Sequence, residues 1–259
     1  MDAAGPTPPS SRTGGDDHVF DDIVVGIDET PESLVAAAQA QVLRTPGGRL
    51  AVIAVAEQYL SAHAGFAAAD AEGKLAAETS AVLDRARELV QADEARLVAG
   101  RLVDVVRGEG RRRGVTLIAI GARPHRRLAA ATFGGHDVEF LHHASCGVLI
   151  ARAGWGPSRP ASIVVGIDNS PSSRAAETVA RALAARLGSE IVPVVSLQHV
   201  DLSTLRAERD DGVLDPRDLV HAVAAAATER SLVVVGRGRL TERIAYSARC
   251  SVLVLSNEA

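Results

Sequence analysis

Two carboxylates, a cluster of arginines, three histidines and two cysteines are the side chains whose positions in this sequence could carry chemistry. Asp28 and Asp168 each end an apolar run, and each is followed three residues later by a proline. A carboxylate there either closes the next turn or accepts hydrogen bonds from a ligand, and its exact duplication favours turn closure for Asp168. Arg123, Arg126 and Arg127 lie close together, with Arg111, Arg112 and Arg113 upstream. Such a group can offer charge-assisted hydrogen bonds to an anion, or simply form a solvated face. His136, His142 and His143 do not make a metal site, because adjacent residues on a helix diverge and no cysteine or carboxylate completes a ligand set at a known spacing. Cys146 and Cys250 precede equivalent strands and are expected to be buried free thiols. There is no nucleophile elbow, glycine-lysine phosphate loop or Ser-His-Asp order, so no dedicated enzyme is expected.

The bulk composition narrows the classes. Of 259 residues, 47% are hydrophobic but only 3% aromatic, so a core must be built from Val, Leu, Ile and Ala between regular elements. The formal charge of −4 lacks the basic excess that nucleic acid or an anionic membrane surface would call for. Two cysteines without paired spacing suit a reducing, cytoplasmic setting. Residues 1–18, rich in Pro, Gly, Ser and Asp, read as a disordered leader and contain no signal or membrane-spanning stretch.

The elements that must position the chemistry come in two copies. Ile23-Val24-Val25-Gly26-Ile27-Asp28 recurs unchanged as Ile163-Val164-Val165-Gly166-Ile167-Asp168, at an offset of 140. Pro31 and Ser33 match Pro171 and Ser173, so each copy opens strand, turn, helix, with proline in the first helical turn and Thr30 or Ser170 placed to cap it. Further on, Leu117 to Gly121 matches Leu232 to Gly236 at an offset of 115, and Cys146 to Ile150 matches Cys250 to Val254 at 104. Copy two is therefore shorter by 25 residues and then by a further 11. The pattern predicts strands near 22–28, 49–55, 94–99, 115–121 and 147–152 with helices near 31–44, 68–92, 101–113 and 136–145. In copy two it predicts strands near 162–168, 190–196, 203–208, 231–236 and 251–255. The first deletion removes the counterpart of helix 68–92. Strand–helix alternation gives parallel sheets with right-handed crossovers, and the apolar last strands of the two copies are expected to cover each other's edges.

With these residues in view, the chain resembles the universal stress protein family. Val24-Val25-Gly26-Ile27-Asp28 with Pro31 and Ser33 is similar to the family's first strand and turn, and Gly134 through Leu141-His142-His143-Ala144-Ser145-Cys146-Gly147-Val148-Leu149-Ile150 to its last helix and strand. The resemblance implies an α/β fold of two tandem five-stranded parallel-sheet domains, Rossmann-like and adenine nucleotide alpha hydrolase-like, over 19–155 and, shortened, 160–259. It also implies ATP beyond the carboxyl ends of the strands of the first domain only, where open α/β sheets hold ligands. Asp28 would accept hydrogen bonds from the adenosine, the backbone around Val55 would flank the base, and the phosphates would lie over residues 121–135, near Gly121, Arg123, Gly134 and Gly135. ATP-binding members carry Gly, two residues, Gly, nine residues, Gly, then Ser or Thr. Here Pro124 replaces the second glycine and Gly135 the hydroxyl residue, while in copy two only Gly236-Arg237-Gly238 remains of the loop. The implied function is a stress-associated binding or regulatory protein with weak adenine-nucleotide binding. An ATP-binding switch with slow hydrolysis and a ligand-free, partner-binding pseudo-dimer remain open, as do a homodimer and an unnamed protein partner.

Overall fold

The computed structural model describes residues 19–28, 30–56, 65–122, 139–141, 144–168, 170–196 and 216–256. The leader 1–18, the expected strand 203–208 and half of the expected helix 136–145 lie outside the described residues. Within them the chain forms one sheet of nine strands: β1 (Asp22–Ile27), β2 (Arg49–Ala56), β3 (Glu94–Ala99), β4 (Leu117–Gly121), β5 (Gly147–Ala151), β6 (Ser162–Ile167), β7 (Glu190–Val195), β8 (Ser231–Gly236) and β9 (Ser251–Leu255). The helices are α1 (Pro31–Leu43), α2 (Gly65–Val90), α3 (Leu102–Arg113), α4 (Pro171–Leu187), α5 (Pro216–Ala226) and α6 (Thr241–Ser247). The expected helix 68–92 begins and ends a little earlier, as α2.

The strand order is β3-β2-β1-β4-β5-β9-β8-β6-β7. All pairs are parallel except β5–β9, which is antiparallel through Val148↔Val254, Leu149↔Leu253 and Ile150↔Val252. The last strands of the two copies therefore do cover each other. α1, α2 and α4 bury one face of the sheet, while α3, α5 and α6 bury the other. Central strands covered on both faces need unbroken apolar runs, which is what Leu232-Val233-Val234-Val235 supplies.

Among the described residues copy two shows no counterpart of α2, and α1 and α4 differ accordingly. α1 packs on the sheet with α2 beside it, and seven of its residues are buried, Ser33 and Gln39 among them. α4 has no such neighbour among the described residues and keeps a polar outer face, with an i,i+4 pair between Arg181 and Glu177 at 2.6 Å. The outer strands differ too. Leu50, Val52 and Ala54 of β2 are wholly buried, whereas Pro193 and Val195, at the matching register of β7, are exposed. Glu190 N and Ser196 N both donate toward β6, so strand alternation turns position 193 outward. Proline there lacks the N–H that another chain would use to extend the sheet.

A closed polar network holds the join between copies. Gln39 of α1 donates through Nε2 to Arg152 O at 2.8 Å and accepts at Oε1 from Ser251 Oγ at 2.7 Å. Ser251 Oγ in turn accepts from Arg152 N at 2.9 Å. Gln39 and Ser251 are fully buried, so each bond lost there leaves a desolvated polar atom. Arg186 of α4 adds a second tie, donating to Leu43 O at 2.6 Å and Arg44 O at 3.0 Å at the end of α1. Ser251→Ala is expected to lower unfolding free energy by about 2–3 kcal/mol in urea titrations; a loss below about 0.5 kcal/mol would show that the network does not hold the join.

Candidate functional site

In each copy the strand order reverses beside the first strand. The crossover from β1 leads to β2 on one side, while β4 lies on the other, and β6 stands likewise between β7 and β8. Ligands of open α/β sheets lie at the carboxyl ends of strands flanking such a point. Asp28 follows β1 there, and Gly121 ends β4. Val55 lies level with Asp28, one residue beyond the last β1–β2 pair, Ile27↔Ala54; its side chain is buried on the α3 face. The structure thus brings Asp28, Val55 and Gly121 to the same end of adjacent strands. Arg123, Gly134 and Gly135 lie outside the described residues, as do Pro124, Arg126, Arg127 and the three histidines.

The Asp28 carboxylate closes the turn into α1. Its Oδ1 accepts from Thr30 N at 3.0 Å and from the Thr30 hydroxyl. That corrects one expectation: Thr30 occupies the cap position of α1 but makes no side-chain cap bond, its hydroxyl being turned to donate to the carboxylate instead. Ser33 Oγ instead donates to Asp28 O and Thr30 O at 2.9 and 2.8 Å. In copy two Ser170 behaves as expected, its Oγ accepting from Ser173 N at 3.1 Å. Asp168 Oδ1 accepts from Ser170 N at 3.0 Å, the turn-closing role anticipated for it. Burial pushes the Asp168 carboxyl up, but the hydrogen bonds from Ser170 and Ser173 outweigh it and leave the group below its ordinary value.

Gly121 has a packing reason. A Cβ on it would lie 2.6 Å from Ser33 N in the first turn of α1, and a Cβ on Gly236 would lie 2.7 Å from Ser172 Cβ in the first turn of α4. Only glycine lets the helix start sit this close to the strand end. The constraint holds in both copies, including the one whose loop has contracted. That copy has a small cleft, about 20 Å³, lined by Asp168, Ser173, Gly236, Gly238 and Thr241 among others, which is room for roughly one water. Thr241 Oγ1 spans the shortened turn, accepting from Gly238 N at 2.8 Å and donating to Gly236 O at 3.2 Å.

Sequence reasoning passed over two further side chains, which lie at the join between copies. Arg237 donates to Ala144 O at 2.5 Å and Cys146 O at 3.4 Å, and Arg152 donates to Ala245 O at 2.7 Å and Cys250 O at 3.2 Å. Each reaches from one copy to the turn before the other's last strand. Their one advance signal was an arginine directly after an apolar strand, which has no periodicity to mark it. Beside them, burial pushes the Cys146 and Cys250 thiols up to about 11, against the lowering pull of Arg237 and Arg152 respectively, so both thiols stay protonated and inert near neutral pH. No cluster of three or more His, Cys, Asp or Glu residues able to hold a metal occurs among the described residues, and no helix among them is long and apolar enough to cross a membrane.

The profile of the universal stress protein family matches residues 20–152. The crystal structure of a universal stress protein from Archaeoglobus fulgidus DSM 4304 is similar at a TM-score of 0.67 and 15% identity, covering 92% of this chain and 98% of that one. A protein of unknown function from Pseudomonas aeruginosa PAO1 is similar at a TM-score of 0.61 and 17% identity, covering 93% and 94%. At these identities the likeness to solved structures speaks for the fold.

Two outcomes follow from the geometry. Gly121→Ala and Gly236→Ala should each cost about 2 kcal/mol or more, because the clash is largely with helix backbone; urea midpoints equal to the unsubstituted chain would refute the close approach. Because the folded-state value of Asp168 lies below its unfolded one, its contribution is present above pH ~4 and is lost as pH falls through the folded value. Asp168→Asn should therefore cost less than about 1 kcal/mol at neutral pH, the group being largely in water, and the deficit should shrink toward pH ~3. A deficit of constant size across that range would mean that the charge is not its source.

Proposed function

The chain belongs to the universal stress protein family, and from that premise we propose that it is a cytoplasmic, stress-associated binding or regulatory protein without dedicated catalysis, whose first unit binds adenine nucleotide weakly. The observation that carries this reading is the meeting of Asp28, Val55 and Gly121 at the carboxyl end of the sheet where strand order reverses. We further propose that residues 160–259 are a shortened second unit of the same family. The identical opening strand, the equivalent sheet positions of β6, β8 and β9, and the repeated glycine contact at Gly236 support it. We assign no nucleotide to that unit, because only Gly236-Arg237-Gly238 remains of its phosphate loop.

Weakness follows from the loop chemistry. Pro124 has no N–H to offer a phosphate and Gly135 has no hydroxyl. Each missing hydrogen bond to a charged group is worth ~1.5–3 kcal/mol, so together they cost about two orders of magnitude or more in affinity. Arg123, Arg126 and Arg127 recover part of that. A second reading, a ligand-free pseudo-dimer that docks a protein partner, is favoured by the contracted loop of copy two.

Calorimetric titration of ATP into the full chain and into the double variant Pro124→Gly with Gly135→Ser separates these readings. The proposal expects weak binding by the unsubstituted chain and binding about a hundredfold tighter by the variant. Low-micromolar binding that the variant fails to improve would refute the account of the loop. No binding by either would favour the ligand-free reading.

A further inference from the structure

The sheet ends differently at its two sides, and only one end is barred to a further strand. At β7 the central outward position is Pro193, which has no N–H to give. At β3, Asp93 N donates to Leu50 O just before β2 and β3 pair, so strand alternation turns the backbone groups of Glu94, Arg96 and Val98 outward. None of these is a proline, and no strand lies beyond β3 among the described residues. Such an edge is a template for pairing unless its side chains forbid it.

What the side chains forbid is an arbitrary partner. Glu94 and Arg96 pair with each other at 2.6 Å, and Arg96 also meets the buried Glu109 of α3 at 2.5 Å. An apolar strand laid against them would strip water from both charges without supplying a counter-charge. A second copy of β3, running antiparallel, meets a different condition. In the register centred on Ala95, Glu94 of each copy stands opposite Arg96 of the other, and these two pairs are the ones whose outward N–H and C=O groups face each other. Opposite charges meet twice. With the centre moved to Arg96 or Leu97, Glu94 instead faces Val98 or Gly100, and no opposite charges meet.

The apolar residues favour the same register. Ala95 packs on the α2 side of the sheet, so Leu97, two residues on, shares that face. It is 42% exposed, and Leu89 in the last turn of α2 is 49% exposed, two of the four large apolar side chains left in water among the described residues. In the Ala95 register Leu97 of each copy stands opposite Asp93 of the other, level with the end of that copy's α2. Leu89 and Leu97 are thereby brought toward each other twice.

We propose that the β3 edge is a docking surface for a second copy of this chain: two copies pair antiparallel through β3 about Ala95, Glu94 against Arg96, as a closed dimer. The contact uses the same patch on both copies, so it closes on itself, and Pro193 at the far edge prevents its propagation into a filament. One strand and one helical turn from each copy bury less than about 1,200 Å², the small end of specific interfaces. The dimer therefore dissociates on dilution.

Sedimentation velocity of the full chain, over a dilution series from about 0.2 mM, should show a monomer–dimer equilibrium. Glu94→Arg sets like charges opposite each other twice while leaving the Arg96–Glu109 pair in place, and should weaken the dimer about tenfold or more. Glu94→Gln, which removes the attraction without adding repulsion, should weaken it less. Register is read by thiol crosslinking in a glutathione redox buffer. Ala95→Cys places two thiols directly opposite each other at the closely spaced kind of pair, within disulfide reach, and should yield a covalent dimer. Leu97→Cys, whose two copies lie about 13 Å apart along the strands, should not, nor should the unsubstituted chain, whose two cysteines are buried. A chain that stays monomeric through the series would overturn the proposal. So would Glu94→Arg dimerising as tightly as the unsubstituted chain, which would place the contact elsewhere, or crosslinking by Leu97→Cys and not by Ala95→Cys, which would mean another register. Sedimentation decides by itself if Ala95→Cys fails to fold.

Discussion

An apolar strand edge at the end of a parallel sheet cannot be left to water, and the antiparallel pairing of β5 with β9 is the answer around which the rest of the molecule is arranged. Every other strand pair is parallel and was available to each copy separately. Joining the last strands fuses two sheets into one, so the helices of both copies form two continuous layers and the core clusters run through the join. Polar groups carried into that zone must then satisfy one another. Gln39, Ser251 and the backbone of Arg152 do so in a closed set, and Arg152, Arg186 and Arg237 each spend a guanidinium on carbonyls of the opposite copy. Arginine suits this use because its fork reaches two carbonyls at once without losing its charge.

The same join explains why the copies have diverged as they have. Once the inner edges are covered, the outer ones become the exposed ends of the sheet, and each is blunted differently. On β3, Arg96 pairs with Glu94 at 2.6 Å and with the buried Glu109 of α3 at 2.5 Å, so charge occupies the edge. On β7 the second copy has no counterpart of α2 among the described residues, and Pro193 guards the outward side. α4 carries the consequence in its composition: Arg174, Glu177 and Arg181 stand where α1 has Leu34, Ala37 and Gln41, since a helix with one covered face reads as amphipathic and a helix covered nearly all round does not.

How much of this was legible in the sequence follows from the range of the interactions involved. The exact repeat Ile23–Asp28 and Ile163–Asp168 exposed the duplication, and apolar runs of five or six residues located β1, β4, β6 and β8 because burial on both faces leaves little choice of side chain. The meeting of the last strands was legible as well, from the need to cover Val148–Ile150. The cap of α1 was misread because Thr30 had two local partners to choose from and took the carboxylate of Asp28, a competition that residue types alone do not settle. Arg152 and Arg237 were invisible as structural residues because their acceptors lie more than ninety positions away. For Arg123, Gly134 and Gly135 the sequence gives chemistry without placement.

Gly121 shows why a motif glycine is an ambiguous witness to a ligand. The approach of a helix start to a strand end demands it sterically, and Gly236 meets the same demand in a copy whose loop is gone. A glycine that both packing and phosphate contact would select carries little information about which of them acts. Loop length discriminates better. In the sequence, twelve residues separate Gly121 from Gly134, whereas Arg237 alone separates Gly236 from Gly238. A long connection that the fold does not need is usually either a functional segment or a disordered linker. Where the surplus was discarded, the remaining side chain turned to the join, and a loop position became part of the contact between copies.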